Sequence, residues 1–418
     1  MSITSYPNVV YLDQITGGNT VAFPSSGVDA FGRLRISQPV TLFDSSHRYT
    51  DNDLWAEDTT GGGSSSFVTN EGLVDLDVGT ASGDEVLRET YKVFSYQPGK
   101  SLLVMNTFVM GAAKANLRQR VGYFGTDNGL FVERDGTAIS LVKRSFVTGS
   151  ATDIKVAQAD WNGDKLDGTG PSRKTLNLAY AQIFWMDIEW LGLGSVRMGF
   201  IIDGQFILCH TFHHANLITA TYITTASLPL RYEITNTDTT ASSSKLKQVC
   251  STVISEGGYE LRGRQQGVGT VITAPYLMTS AGTYYPIVSL RLKSTRLDSI
   301  AILTAASIIP ADTGFFNWRI AARSITTGGT WVSAGTNSSV EYNITGTAAS
   351  NGRILASGFL SATNQTGGGI DILKEALFKF QMERDTFTST PYEISLLCTS
   401  NGAADSMYAS LDWEEVTR

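Results

Sequence analysis

The stretch Ser195-Val196-Arg197-Met198-Gly199-Phe200-Ile201-Ile202-Asp203-Gly204-Gln205-Phe206-Ile207-Leu208-Cys209-His210-Thr211-Phe212 decides the fold. Two β-rich runs flank Asp203-Gly204, whose backbone tolerates the positive φ angles of a type I′ turn, so the segment reads as an antiparallel hairpin. Working outward, residues 181–190 join it through Gly192 and Gly194, giving a meander of at least three strands in one sheet. Such a meander buries one face, and that face needs a second sheet over it.

Composition extends this reading to the whole chain. Of 418 residues, 42% are hydrophobic and only 17% charged, below the roughly 25% of ordinary soluble domains. The polar surface therefore rests largely on Ser, Thr, Asn and the 41 glycines. Ser and Thr alternating with Val, Ile, Phe and Tyr suit a pleated sheet, whereas the residues of long helices are thin, so an all-β chain is expected. No fixed-period repeat recurs, which disfavours a propeller or solenoid. The 32 basic and 39 acidic residues leave a net charge of −7, so no positive field is available to hold nucleic acid or an anionic membrane. No apolar run approaches the ~18 residues that span a bilayer. The segment Met1 to Pro7 lacks a basic region followed by an apolar one, and synthesis in a cytoplasm is expected. Cys209, Cys250 and Cys398 are odd in number and form no CxxC, which indicates neither a disulfide framework nor a zinc knuckle but a reducing compartment.

Turn-forming residues divide the chain. Residues 1–49, with Pro7, Pro24, Pro39, Gly17-Gly18 and Gly27, read as an extended N-terminal docking arm. Residues 50–262 read as a first β-sandwich, within which the low-complexity run 59–66 is expected to be a flexible loop. Residues 263–270 read as a linker, and 271–418 as a second β-sandwich or jelly roll. Residues 370–377 alone carry the pattern of a helical turn or two.

Metal binding is tested by His210-Thr211-Phe212-His213-His214 beside Cys209. In a regular strand His210 and His214 share one face while Cys209 and His213 share the other. No second ligand segment or HExxH helix accompanies them, so these side chains are expected to pack and hydrogen-bond at a strand end. Pro98-Gly99-Lys100-Ser101 has the end of a P-loop, but Phe94 stands where the first glycine is required, and a turn between strands is expected. No G-x-S-x-G nucleophile elbow is present. In Trp185-Met186-Asp187-Ile188-Glu189-Trp190-Leu191-Gly192, Asp187 and Glu189 fall on one face of a strand, a placement that suits paired-carboxylate chemistry. Aromatic residues reach 10%, and flat rings stack on sugars as readily as they fill cores. Trp318 and Trp331 are the candidate glycan contacts, expected in a concave face.

The segment 185–192 resembles the E-I-D-I-E-F-L-G motif of the laminarinase and lichenase family of retaining glycosidases, built on a concanavalin-like jelly roll. The resemblance places Glu189 on the acid/base and Asp187 on the assisting aspartate. Trp185 replaces the nucleophilic glutamate, without which a retaining mechanism cannot form its covalent intermediate. What the resemblance implies is therefore a concanavalin-like first sandwich, with no catalytic residue expected.

Other stretches together resemble a family of virion structural proteins of tailed bacteriophages, of the cyanophage and marine-phage type. They are Val28-Asp29-Ala30-Phe31-Gly32-Arg33-Leu34-Arg35, Thr41-Leu42-Phe43-Asp44, Tyr96-Gln97-Pro98-Gly99-Lys100-Ser101, Gly122-Tyr123-Phe124, Asn128-Gly129-Leu130-Phe131, Trp161-Asn162-Gly163-Asp164-Lys165-Leu166-Asp167-Gly168, Glu189-Trp190-Leu191-Gly192 and Ser255-Glu256-Gly257-Gly258-Tyr259. The likeness spans roughly the first 265 residues and implies a virion component of the tail, baseplate or fibre region, with a capsid decoration protein or a carbohydrate-binding host-attachment module as alternatives. Its implied partners are other virion proteins and further copies of the chain, with a host surface glycan as a further candidate and no cofactor or metal. Asp29, Phe31, Arg33 and Arg35 are candidate docking residues: an aromatic side chain can fill a neighbour's pocket while arginines meet carboxylates. The same segment can instead fold back as an edge strand of its own sandwich.

Overall fold

The computed structural model describes residues 9–12, 21–24, 38–350, 352–362 and 380–417, which are strands joined by turns with two single-turn 3-10 helices and no α-helix among them. The hairpin forms as its central dipeptide dictates. Val196–Ile202 pairs antiparallel with Gln205–Phe212, and Asp203 and Gly204 adopt φ of 52° and 74°, the two left-handed residues of a type I′ turn.

Gln182–Ile188 lies between Val196–Ile202 and Leu102–Val109. The sheet continues through Ser244–Ser255, Leu73–Val78 and Ser64–Val68, and Val40–Ser46 completes its eight strands. A seven-stranded back sheet runs Thr152–Ala157, Ala138–Ser145, Gly129–Asp135, Leu117–Phe124, Leu230–Asn236, Glu85–Thr90, Trp55–Thr60. Strand alternation sends Phe184, Met186 and Ile188 inward, where they join Val104, Val121, Val132 and Tyr232 in one buried core. A second core belongs to the C-terminal half. Ile287, Leu290, Phe316, Ile320 and Leu396 of a six-stranded sheet meet Leu303, Ile308, Leu411 and Trp413 of a four-stranded one.

Three sequence expectations are corrected. Val40–Ser46, read as part of the arm, is a front-sheet strand, held because Leu42 and Phe43 bury their side chains in the first core. The expected linker contains Arg264–Gly269, a strand paired with Asp405–Thr417, so its polar residues edge the four-stranded sheet. The run 59–66 is a tight crossing from the back sheet to the front sheet, because the Asp84 carboxylate accepts hydrogen bonds from Gly62 N–H (2.7 Å) and Ala81 N–H (3.2 Å). Within the arm, Val9–Leu12 pairs with Val21–Pro24. The proposed helical turn at 370–377 lies outside the described residues.

The outer face of the back sheet carries a row of charges. Arg120 sits directly opposite Glu133 on one neighbouring strand and Glu233 on the other, and pairs with both, at 2.7 and 3.2 Å. Lys155 extends the row beyond Glu133 (2.5 Å). Arg231 reaches Glu233 (3.7 Å) and Glu89 (3.6 Å), and Glu89 then takes Arg384 of the C-terminal half (2.8 Å). Arg384 is buried, also donating to Thr90 O (2.8 Å) and pairing with Asp298 (3.1 Å). Around it Gln381 donates to Val93 O (2.8 Å), and the Arg323 guanidinium lies 3.8 Å over the Tyr91 ring while pairing with Asp53. Val93, Ile300 and Ile302 form a small apolar cluster beside these contacts.

Removing one member of a buried ion pair strands its partner's charge. R384M is expected to lower unfolding free energy by about 3–5 kcal/mol in denaturant titrations followed by tryptophan fluorescence, and adding E89Q to R384M is expected to restore part of the loss. A loss within the roughly 0.5 kcal/mol of an ordinary surface substitution would show that this pair does not couple the two halves.

Candidate functional site

The alternation that buries Phe184 and Met186 turns Trp185, Asp187 and Glu189 to the outer face of the front sheet. A cleft of about 560 Å³ opens there, lined by Tyr96, Lys100, Ser101, Asp187, Glu189 and Arg197 among others. Sequence reasoning placed the two carboxylates together, and the structure does so. It missed Arg197 and Ser101; the signal for Arg197 is pairing, since it stands directly across from Asp187 where Val196–Ile202 runs beside Gln182–Ile188.

Each group is already engaged. The Ser101 hydroxyl donates to one oxygen of Asp187 and the Arg197 guanidinium to the other. Glu189 lies past the strand end, its carboxylate accepting Ser195 N–H (3.2 Å), and the turn that follows runs through Leu191 and Gly192 at φ 36° and 77°. Trp185 is buried, edge-on to Phe206 with centroids 5.5 Å apart. Gly199 stands opposite it, and an added Cβ there would lie 3.0 Å from the indole Nε1 and 1.9 Å from Ile207 O, so the glycine makes room for the ring. An indole supplies no carboxylate, and both oxygens of Asp187 are taken, one by a hydroxyl and one by a guanidinium. Beyond Trp185 the same face reaches a second, more apolar cleft of about 650 Å³ lined by Thr107, Tyr180, Ile183, Ile201 and Cys250.

Among the described residues no group of three or more His, Cys, Asp or Glu is disposed to hold a metal. A β-bulge opposite Met198/Gly199 alters the expected facing: Cys209 and His210 are both buried, although consecutive. Thus Cys209 does not share a face with the exposed His213. His210 accepts Asn162 N–H at Nδ1 (3.3 Å). His214 stacks on Tyr222 with centroids 4.0 Å apart, its Nδ1 2.5 Å from Gly194 O and its Nε2 2.9 Å from Lys143 Nζ. The carbonyl fixes the proton on Nδ1 and leaves Nε2 to accept from the lysine. Pro98-Gly99-Lys100 forms a turn between strands, with Gly99 at φ 83°.

Asp29, Phe31, Arg33 and Arg35 lie outside the described residues. Trp318 and Trp331 are half-buried and are not brought together. Trp318 shares the core side of its strand with Phe316 and Ile320, and its indole occupies the space that a Cβ at Gly358 would need. Trp331 flanks the opposite edge of the six-stranded sheet, covered by the Arg291 guanidinium at 4.0 Å. The rings that do face solvent there are Phe315 and Phe359.

Burial lowers the pKa of His214 to about 4, with the Lys143 charge adding to the effect. Burial and then the Arg88 charge lower His47 likewise to about 4. Both imidazoles are neutral in the fold but protonate near 6.5 when unfolded, so the unfolded chain takes up more protons as pH falls. Burial lowers His210 as well, so stability is expected to be complete above about pH 6.5 and to fall toward about pH 4, with a slope of about two protons or more. Denaturant titrations across this range measure it, and H214Q should remove about one proton from the slope.

No family model matches the chain and no curated protein matches it in sequence. Among solved structures it is similar in shape to the CBM2 module of the evolved Dit of Lactobacillus casei BL23 phage J-1, at 6% identity over 54% of this chain and 100% of that one, TM-score 0.36. It is similar to LamA from Z. galactanivorans in complex with laminaritriose and laminaritetraose, at 9% identity over 51% of this chain and 98% of that one, TM-score 0.35. A legume lectin-like domain from Entamoeba histolytica matches at 12% identity over 52% and 99% of the two chains, TM-score 0.32. At these identities and scores no residue role passes from them to this chain.

Proposed function

We propose that this chain is a non-catalytic structural protein of a tailed-phage particle, in the tail, baseplate or fibre region, whose sandwiches are exposed and contact a host-surface glycan. The observation that carries the reading is what the residues of the phage-like segments do. Among the described residues they hold turns and tie strands together, and where Tyr96, Lys100, Ser101 and Glu189 meet at the front-sheet cleft, the Asp187 carboxylate there is already taken by Arg197 and Ser101. Asn128 accepts Phe146 N–H (3.2 Å) and Thr224 N–H (3.0 Å) and donates to Thr224 Oγ1 (2.7 Å), fastening two loops. Asp164 accepts Leu166 N–H (2.9 Å) and Ser172 N–H (2.7 Å), donors that outweigh its desolvation and hold its pKa below the usual value. Ser101 O accepts Glu256 N–H (2.9 Å), joining the segment at 96–101 to the one at 255–259. Trp161 fills the core, and Gly122 lets Leu130 approach, since a Cβ there would lie 2.3 Å from its carbonyl oxygen.

Two further features support assembly over turnover. Arg384, Gln381 and Arg323 join the halves through buried or stacked contacts, which suits a subunit that transmits position to its neighbours. The carboxylate nearest to a glycosidase arrangement, Asp187, is occupied by Arg197 and Ser101.

Removal of residues 1–37, which spares the front-sheet strand Val40–Ser46, tests the reading. The shortened chain is expected to keep its melting temperature but to lose incorporation into particles of the encoding phage, scored by mass spectrometry of purified virions. Full-length chain absent from those virions would overturn the proposal. Its copy number per particle separates a tail component from a capsid decoration protein, which would follow the much larger copy number of the shell.

A further inference from the structure

The outer face of the six-stranded C-terminal sheet holds a second open cleft, of about 480 Å³, within the size range of small-ligand sites. Its floor is set by register. Asn317 faces Phe359 on the edge strand Arg353–Ala362 and Thr399 on the other side, with Phe315 two residues away on the same face. Phe359 is 83% exposed and Phe315 67%. Two rings open on one face of a cleft present flat surfaces on which a ligand ring can stack.

The polar groups are arranged around those rings. The Tyr284 hydroxyl donates to Asn317 Oδ1 (2.5 Å), and the Asn317 amide donates to Gly358 O (2.9 Å), so both are fixed before any ligand arrives. The Arg319 guanidinium lies 4.0 Å over the fixed Tyr284 ring, a cation–π contact that orients the fork without neutralising it. No acidic residue lines the cleft, and among the described residues Arg319 forms no ion pair.

The geometry points to a binding site for an acidic saccharide, a uronic or sialic acid residue, with its ring on Phe359 or Phe315 and its carboxylate on Arg319. Stacking rings account for a sugar, and the uncompensated, oriented guanidinium accounts for its charge. This assignment rests on the host-glycan part of the proposal above and gives it a location and a ligand class.

The test uses the full chain, R319Q and F359A on an immobilised panel of uronic- and sialic-acid-bearing oligosaccharides with neutral ones of matched length. Phe359 is exposed, so an unchanged melting temperature is expected for F359A. The full chain should bind acidic members about tenfold or more tightly than neutral ones, as a charge-assisted hydrogen bond allows. R319Q should lose that preference, and F359A should lose binding to the acidic members. Acidic binding that survives both R319Q and F359A would overturn this site while leaving the glycan reading intact. Absence of binding to every acidic member would overturn the inference, and absence to neutral members too would remove the glycan reading, while virion incorporation is scored separately. Light scattering that shows F359A turning a dimer into a monomer would also overturn it, with a second copy as the occupant.

Discussion

The row of charges from Lys155 through Glu133, Arg120, Glu233, Arg231 and Glu89 to Arg384 is the constraint on which the rest of the molecule depends. Arg120, Glu133, Glu233, Arg231, Glu89 and Arg384 are all buried, and buried charges are tolerated only with their partners in place. Apolar contact would let two sandwiches slide against each other. A guanidinium seated between Glu89, Asp298 and a backbone carbonyl accepts few geometries. The row therefore does more for orientation than for net stability, and it assigns the back sheet's outer face to structure. The clefts at Asp187 and at Asn317 lie elsewhere, on the outer faces of the front sheet and of the six-stranded sheet.

Those two faces handle charge differently. On the front sheet Asp187 is matched by Arg197 on the neighbouring strand and accepts the Ser101 hydroxyl, and Trp185 packs beside it against Phe206. Both carboxylate oxygens of Asp187 are thus taken by the protein's own groups. On the six-stranded sheet Arg319 rests on an aromatic ring instead of a carboxylate. Its charge remains available to a ligand.

Much of the architecture was legible because the deciding signals were local. Asp203-Gly204 specifies a turn through its own backbone, and the alternation at 182–188 specifies which side is core. The same logic shows why boundaries failed. Polarity marked 263–270 as a linker, yet an edge strand is polar by need, and Arg264–Gly269 owes its pairing to Asp405–Thr417, over a hundred residues away. The glycine run at 59–66 looked loose because nothing nearby in sequence shows that Asp84 will hold it. The histidine cluster was placed by strict alternation, and one bulge reversed the relation of Cys209 to His210.

The aromatic candidates show a further limit, one of parity. Trp318 was a reasonable choice for stacking because indole is the largest ring, but a residue on a strand faces solvent only if its neighbours two positions away do so too. Phe316 and Ile320 are core residues, so Trp318 follows them inward. Phe315, Asn317 and Arg319 take the other parity and share the open face with Phe359, its partner strand aligned by register. Ring size in a sequence measures how much can be buried; only parity and register decide what is left to bind.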